Sequence, residues 1–170
     1  MPKNSENSAT LPRVAVVVSS WHHGNTRKIA DAIGAELQAD VFTIDQAYAI
    51  DLSQYNLVGY GSGIYFAKHD EKLFDLINAK PSLPRKAFLF STAGNTLLWR
   101  FYHRSLRRRL TERGCKVLSE FNCPGWDSVG PFSLFGGFYR SRPNEKDLAR
   151  ARDFARQLKA SDQTSALALS

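Results

Sequence analysis

The sequence predicts a doubly wound α/β domain, with five parallel strands in the order 2-1-3-4-5 and helices on both faces, in three α/β/α layers. Three observations predict it. Short β-branched runs alternate with segments of helical periodicity, which is the pattern of βα units and a parallel sheet. The first run, Val14 to Val18, is continuously apolar, as suits a strand buried on both faces. The chain has 170 residues, 43% hydrophobic and 23% charged, enough for one domain with its own core.

The elements follow in order. Residues 1–10 are polar and aperiodic and read as a loose tail. Arg13 to Ser19 is the first strand, broken by Ser20-Trp21-His22-His23-Gly24-Asn25. Ile29, Ile33 and Leu37 then recur every four residues, one face of a helix. Val41 to Ile44 is a short strand. Tyr55 to Gly61 is the third, followed by a loop that begins at Ser62-Gly63. Leu73, Leu76 and Ile77 mark a helix with Asp70 as its N-cap, and Pro81 and Pro84 close it. Ala87 to Phe90 is the fourth strand, with the loop Ser91-Thr92-Ala93-Gly94-Asn95 after it. Leu98, Tyr102, Leu106 and Leu110, with Phe101 on the same side, define a helix closed by Gly114. Cys115 to Phe121 is the fifth strand. Asn144 caps a last helix with Leu148, Ala151, Ala155 and Leu158 on one face, and residues 161–170 read as frayed. The domain is thus 11–160, with tails at 1–10 and 161–170.

Composition narrows the function classes. No apolar run is long enough for a membrane-spanning helix or a secretory signal. Two cysteines, Cys115 and Cys123, are too few for a disulfide framework, so a cytoplasmic location is expected. No Cys/His cluster has zinc spacing, so no metal site is expected. The formal net charge is +7, but it is concentrated. Between Leu97 and Lys116 there are seven basic residues against Glu112, a net of +6; the remainder holds 16 basic and 15 acidic residues, a net of +1. That helix is either a solvated basic face or a docking patch for something negative.

In a doubly wound sheet, ligands bind beyond the carboxyl ends of the strands at the switch point, here between strands one and three. The loops after Ser19, Gly61 and Phe90 are the ones that matter, and all are rich in Ser, Thr, Asn and Gly. The first joins a strand to a helix N-terminus, where N–H groups and the helix dipole favour a phosphate. Ser20, Asn25 and Thr26 add neutral donors, and Gly24 lets the backbone approach. The simpler use of the same residues is capping of the helix by Asn25 or Thr26. Neither a G-x-x-x-x-G-K-[ST] nor a G-x-G-x-x-G pattern is present.

Ser20-Trp21-His22-His23-Gly24-Asn25-Thr26-Arg27-Lys28-Ile29-Ala30 resembles the phosphate loop of flavodoxins, in a variant with two histidines. Tyr55 to Tyr65 is similar to the family's third strand and ring-contacting loop. Phe90-Ser91-Thr92-Ala93-Gly94 resembles its second flavin loop, and Arg142 to Leu148 with Ala151, Phe154 and Ala155 its last helix. The resemblance spans roughly 13–158 and implies one non-covalently bound FMN. By position it implies that Ser20, His22, His23, Gly24, Asn25 and Thr26 hold the phosphate. Ser62, Gly63, Ile64 and Tyr65 would flank the ring, with Gly63 free to reorient its peptide at positive φ. Ser91, Thr92, Ala93, Gly94 and Asn95 would line the pyrimidine side.

The stretch Pro124 to Pro143 carries Trp126, Phe132, Phe135, Phe138 and Tyr139 among glycines. A loop of that length in a compact domain is usually functional. It reads either as a lid over the ring, with Trp126 and Asp127 nearest, or as a satellite aromatic cluster. No acid–base residue defines a substrate, and no catalytic residue is assigned.

The expected function is FMN-dependent electron transfer or a small flavin-dependent oxidoreductase activity. The redox partner is a protein or a small-molecule donor or acceptor, with an acidic partner or a membrane surface suiting the basic helix; nucleic acid is not expected. Two alternatives stand. Gly63 to His69 is similar to the corresponding loop of menaquinone-dependent protoporphyrinogen oxidases, which implies a quinone- or porphyrinogen-type oxidoreductase. The other is a cofactor-free scaffold that binds an anionic partner through its arginine helix.

Overall fold

The computed structural model describes residues 13–20, 24–125 and 142–167. The chain runs β1 (Val14–Ser19), α1 (Asn25–Leu37), β2 (Asp40–Thr43), α2 (Ile44–Tyr48), a 3-10 turn (Leu52–Gln54), β3 (Leu57–Tyr65), β4 (Lys68–His69), α3 (Glu71–Ala79), β5 (Lys86–Ala93), α4 (Trp99–Glu112), β6 (Lys116–Pro124) and α5 (Glu145–Leu167). The parallel strands lie in the order β2-β1-β3-β5-β6, which is 2-1-3-4-5 once the two-residue β4, paired antiparallel to β3, is left out. Helices α1 and α5 cover one face. Ile29, Ile33, Ala151, Ala155 and Leu158 pack there on Val16, Val18, Phe88 and Phe90. Helices α2, α3 and α4 cover the other, with Leu73, Leu76, Leu106 and Leu110 on Val17, Val58, Tyr60 and Leu89.

Several boundaries move. Ile44 is not the end of β2 but the first residue of α2. Thr43 caps it through a reciprocal pair, its hydroxyl accepting from the Gln46 N–H and the Gln46 side chain accepting from the Thr43 N–H. β3 does not end at Gly61. It runs through Ser62 to Tyr65, because Ser62 and Gly63 keep pairing with Ser91 and Thr92, and Ile64 and Tyr65 then pair with β4. Likewise Ser91, Thr92 and Ala93 belong to β5, paired to Asn122, Cys123 and Pro124 of β6. The expected frayed end is helical as far as Leu167. Lys86 ties Asp162 to the sheet, and the hydroxyls of Ser161 and Thr164 bond back to Leu158 and Ala160 carbonyls.

Other expectations hold. Asp70 caps α3, accepting from the Lys72 N–H. Gly114 follows α4 at φ 81. Asn144 Oδ1 accepts from the N–H groups of Lys146 and Asp147, and the buried Asp147 carboxylate accepts from the Asn144 N–H and from Arg142. Cys115 and Cys123 are free and buried, and burial raises both thiols, to about 11 and about 12. Cys115 packs in the core on one face of the sheet and Cys123 in the core on the other.

Candidate functional site

At the carboxyl end of β1 the chain turns into α1 through Gly24, whose φ of 65 is left-handed and whose missing Cβ faces open space. Gly24 is itself the N-cap residue and has no side chain with which to cap α1. The capping use of Asn25 or Thr26 is therefore not what the chain adopts. Thr26 instead reaches across the sheet end to Thr92 of β5, the two buried hydroxyls 2.8 Å apart. One proton is used within that pair, leaving the second hydroxyl as a donor. Ser20 Oγ accepts from the Arg27 N–H at 3.3 Å. A cavity of about 430 Å³ opens beside the turn, between Ser20, Gly24 and Arg27 and, on the β2 side, Thr43, Asp45 and Lys72.

A second feature was not anticipated. Ser19, Ser62, Ser91 and Asn122 are register partners across four neighbouring strands, and so form one row of small polar residues on the α3/α4 face. They stand just past the apolar core, after Val17, Tyr60 and Leu89 on the same face. Each finds a partner from above. Ser19 donates to Asp70 at 2.6 Å, Ser62 lies 2.9 Å from His69 Nδ1, and Ser91 lies 2.7 Å from His103 Nε2 while accepting from Asn122 Nδ2 at 2.8 Å. His103 Nδ1 reaches Glu120 at 3.1 Å, and Arg107 grips both oxygens of the same carboxylate. The buried rings of His69 and His103 lie 4.7 Å apart, and His69 Nε2 has no hydrogen-bond partner among the described residues.

Burial, then the neighbouring His103, hold His69 well below the usual imidazole range, against a weaker pull from Glu120. Burial alone would raise Glu120, but hydrogen bonds from His103 and Arg107 outweigh it and bring the carboxyl to about 2. Both shifts predict acid lability. A neutral His69 is favoured above the unfolded-state imidazole value of about 6.5, and that contribution is lost as pH falls below it. The Glu120 contribution is present above the ordinary 4.5 and is lost as pH falls towards about 2. Urea unfolding across pH is expected to show both losses, the second on the order of 3 kcal/mol. Glu120→Gln should flatten the lower limb and His69→Gln the upper one.

The stretches expected to flank the ring are strand ends rather than free loops. Tyr65 folds back over Gly63, where an added Cβ would lie 2.8 Å from the tyrosine oxygen. Positive φ occurs at Phe66 and Ala67, the tip of the β3–β4 hairpin, with φ 49 and 63. Ser62, Ser91, Thr92 and Ala93 are buried, Ile64, Tyr65 and Gly94 half-buried, and Asn95 exposed. His22, His23 and Trp126, with most of Pro124 to Pro143, lie outside the described residues.

On α4, Tyr102, Leu106 and Leu110 face the core as expected, but Leu98 and Phe101 are exposed. His103 takes the inward position beside Tyr102 and packs edge-on against Trp99. Much of the arginine charge is used structurally. Arg107 holds Glu120, Arg108 and Arg109 share Glu112, and Arg113 donates to the Ile77 and Lys80 carbonyls at the end of α3. Among the described residues Arg100 and Arg104 have no acidic partner. Among the same residues no group of His, Cys, Asp and Glu could hold a metal ion.

A family model described as "Flavodoxin domain" matches residues 15–109. A protein of Methanocaldococcus jannaschii, the uncharacterized MJ0298, is 40% identical over 146 residues, covering 86% of this chain and 97% of that one. The chain belongs to the flavodoxin domain family. That family is one of flavin-binding electron-transfer proteins. Solved structures agree on the fold of this flavodoxin-domain protein. A flavodoxin from the domain Archaea superposes with TM-score 0.54 at 20% identity, covering 86% of this chain and 99% of its own. Oxidised Flavodoxin 2 from Bacillus cereus gives 0.62 at 17%, covering 88% and 99%. The flavodiiron protein from Giardia intestinalis gives 0.58 at 15%, with 87% of this chain matched to 36% of that one. No described helix is long and apolar enough to cross a membrane.

Proposed function

We propose that this flavodoxin-domain protein binds FMN and acts in electron transfer or as a small flavin-dependent oxidoreductase. The observation that carries the reading is the β1–α1 turn: a helix N-terminus whose cap residue is a left-handed glycine, at the switch point between β1 and β3. Its donor set suits a phosphate monoester. Ser20, Asn25 and Thr26 supply neutral donors, and the α1 dipole supplies positive potential. His22 and His23 belong to the same turn in sequence, and in this reading they add contacts that strengthen as the imidazoles protonate. Ser62 to Tyr65 and Ser91 to Asn95 are assigned to the ring, with Trp126 over it.

FMN supplies the redox chemistry when bound; the chain supplies position and polarity. The row Ser19-Ser62-Ser91-Asn122 is locked by Asp70, His69 and His103 on the α3/α4 face, which fixes the ends of β3 and β5 relative to one another. Preorganised strand ends lower the ordering cost of binding a planar ligand. Titration of the apoprotein with FMN is expected to quench flavin fluorescence at a one-to-one end point. A protein that leaves FMN fluorescence unchanged at micromolar concentrations sinks the reading and leaves the cofactor-free scaffold. The quinone-type alternative draws on the exposed apolar groups near this end of the sheet, and steady-state turnover with a water-soluble quinone separates it from a pure carrier.

A further inference from the structure

The hairpin tip and the start of α4 carry a surface that the flavin site does not need. Phe66 is 94% exposed, Leu97 85%, Phe101 61% and Leu98 53%. The Phe66 backbone is strained to put it there. Both central residues of the two-residue β3–β4 turn are left-handed, a geometry that Asn-Gly fills without penalty and Phe-Ala does not. At that exposure the ring gains little packing from the described residues in return. Between the tip and α4 lies a cleft of about 570 Å³, walled by Phe66 and Phe101 and edged by Arg104, Arg108 and Arg109. Arg100 stacks on Trp99 and, like Arg104, has no acidic partner among the described residues.

We infer that this face docks on an anionic bilayer, with Phe66, Leu97 and Phe101 entering the headgroup–acyl boundary and Arg100, Arg104 and Arg108 meeting lipid phosphates. Two arguments select the occupant. Apolar groups that protrude singly and are interleaved with cations match an interface that is apolar below and anionic above. The local charge of +6 is also complementary to an anionic leaflet. An acidic protein would use the charge but would not require a strained, almost fully exposed phenylalanine. Both parts of the face follow directly from the carboxyl ends of β3 and β5, so docking brings the proposed flavin end of the sheet to the membrane surface. The inference concerns the protein surface and holds whether or not a flavin is bound.

The test is sedimentation of the full chain, with and without FMN, on vesicles of phosphatidylcholine alone and of phosphatidylcholine with phosphatidylglycerol. Binding is expected only to the anionic vesicles and should weaken with salt. Arg104→Glu with Arg108→Glu should lower partitioning by about tenfold or more. Phe66→Asn with Ala67→Gly should lower it by about tenfold while raising the thermal midpoint, because the turn is relieved. That opposite movement separates a docking role from a structural one. Absence of binding to anionic vesicles at low salt overturns the inference. So does retained binding in the Phe66→Asn, Ala67→Gly variant with complete competition by polyglutamate, which would assign the face to an acidic protein.

Discussion

Thr26→Val together with Ser20→Ala is expected to weaken FMN binding by about a hundredfold, while riboflavin binding changes little. Each substitution removes one hydroxyl that the proposed reading assigns to the phosphate. A hydrogen bond to a charged group contributes roughly 1.5–3 kcal/mol, or about ten- to a hundredfold in affinity per hydroxyl. Thr26→Val keeps the side-chain shape, so α1 stays where it is. It leaves the Thr92 hydroxyl without its 2.8 Å partner, a cost carried by the fold and seen in the thermal midpoint. Riboflavin supplies the control, since it has the ring but not the phosphate. Fluorescence titration of both ligands against both proteins gives the comparison. Equal weakening for FMN and riboflavin would place these hydroxyls under the ring or in the fold, and the phosphate assignment would fall.

The second large effect concerns the sheet. Gly61 lies in β3 beneath Phe90 of β5, and an added Cβ would sit 2.2 Å from the nearest ring carbon. Phe90 is fully buried against α1 and α5, so the ring cannot swing away. Gly61→Ala is expected to cost about 3 kcal/mol or more, at the upper end of ordinary overpacking. In a Phe90→Leu background the same substitution should cost much less. A coupling of about 1 kcal/mol or more in the double-mutant cycle identifies the ring as the cause. If the two costs simply add, the glycine is needed for another reason.

Both predictions depend on features of different legibility. The turn was readable because its signal is local: Ser20, Gly24, Asn25 and Thr26 follow a buried strand and precede a helix, and each acts through its own backbone position. The capping pair Thr43 and Gln46 was equally local and shows that β2 ends before Ile44. The polar row Ser19, Ser62, Ser91 and Asn122 was half legible. A serine closes the apolar run of each of three strands at an inward position, but only the register shows that they are neighbours. His69 and His103 carried no signal in spacing. One sits on a two-residue strand and the other on an arginine-rich helix, 34 positions later, and both look like solvent residues until α4 packs on the hairpin.

The sequence by itself determined the five long strands and four long helices, their order in the sheet, the glycine-entered turn at the switch point and the concentration of charge on one helix. Those follow from periodicity, turn chemistry and composition, which act over a few residues at a time. Tertiary structure alone decided where the strands stop, because β3 and β5 continue as long as each finds hydrogen-bond partners across the sheet. It also decided which arginines are spent. Arg107 and Arg113 are consumed by a carboxylate on β6 and by carbonyls at the end of α3, whereas Arg100 and Arg104 meet no acid among the described residues. Pairing between charges distant in sequence depends on which helix faces lie together, and periodicity along one helix does not contain that information.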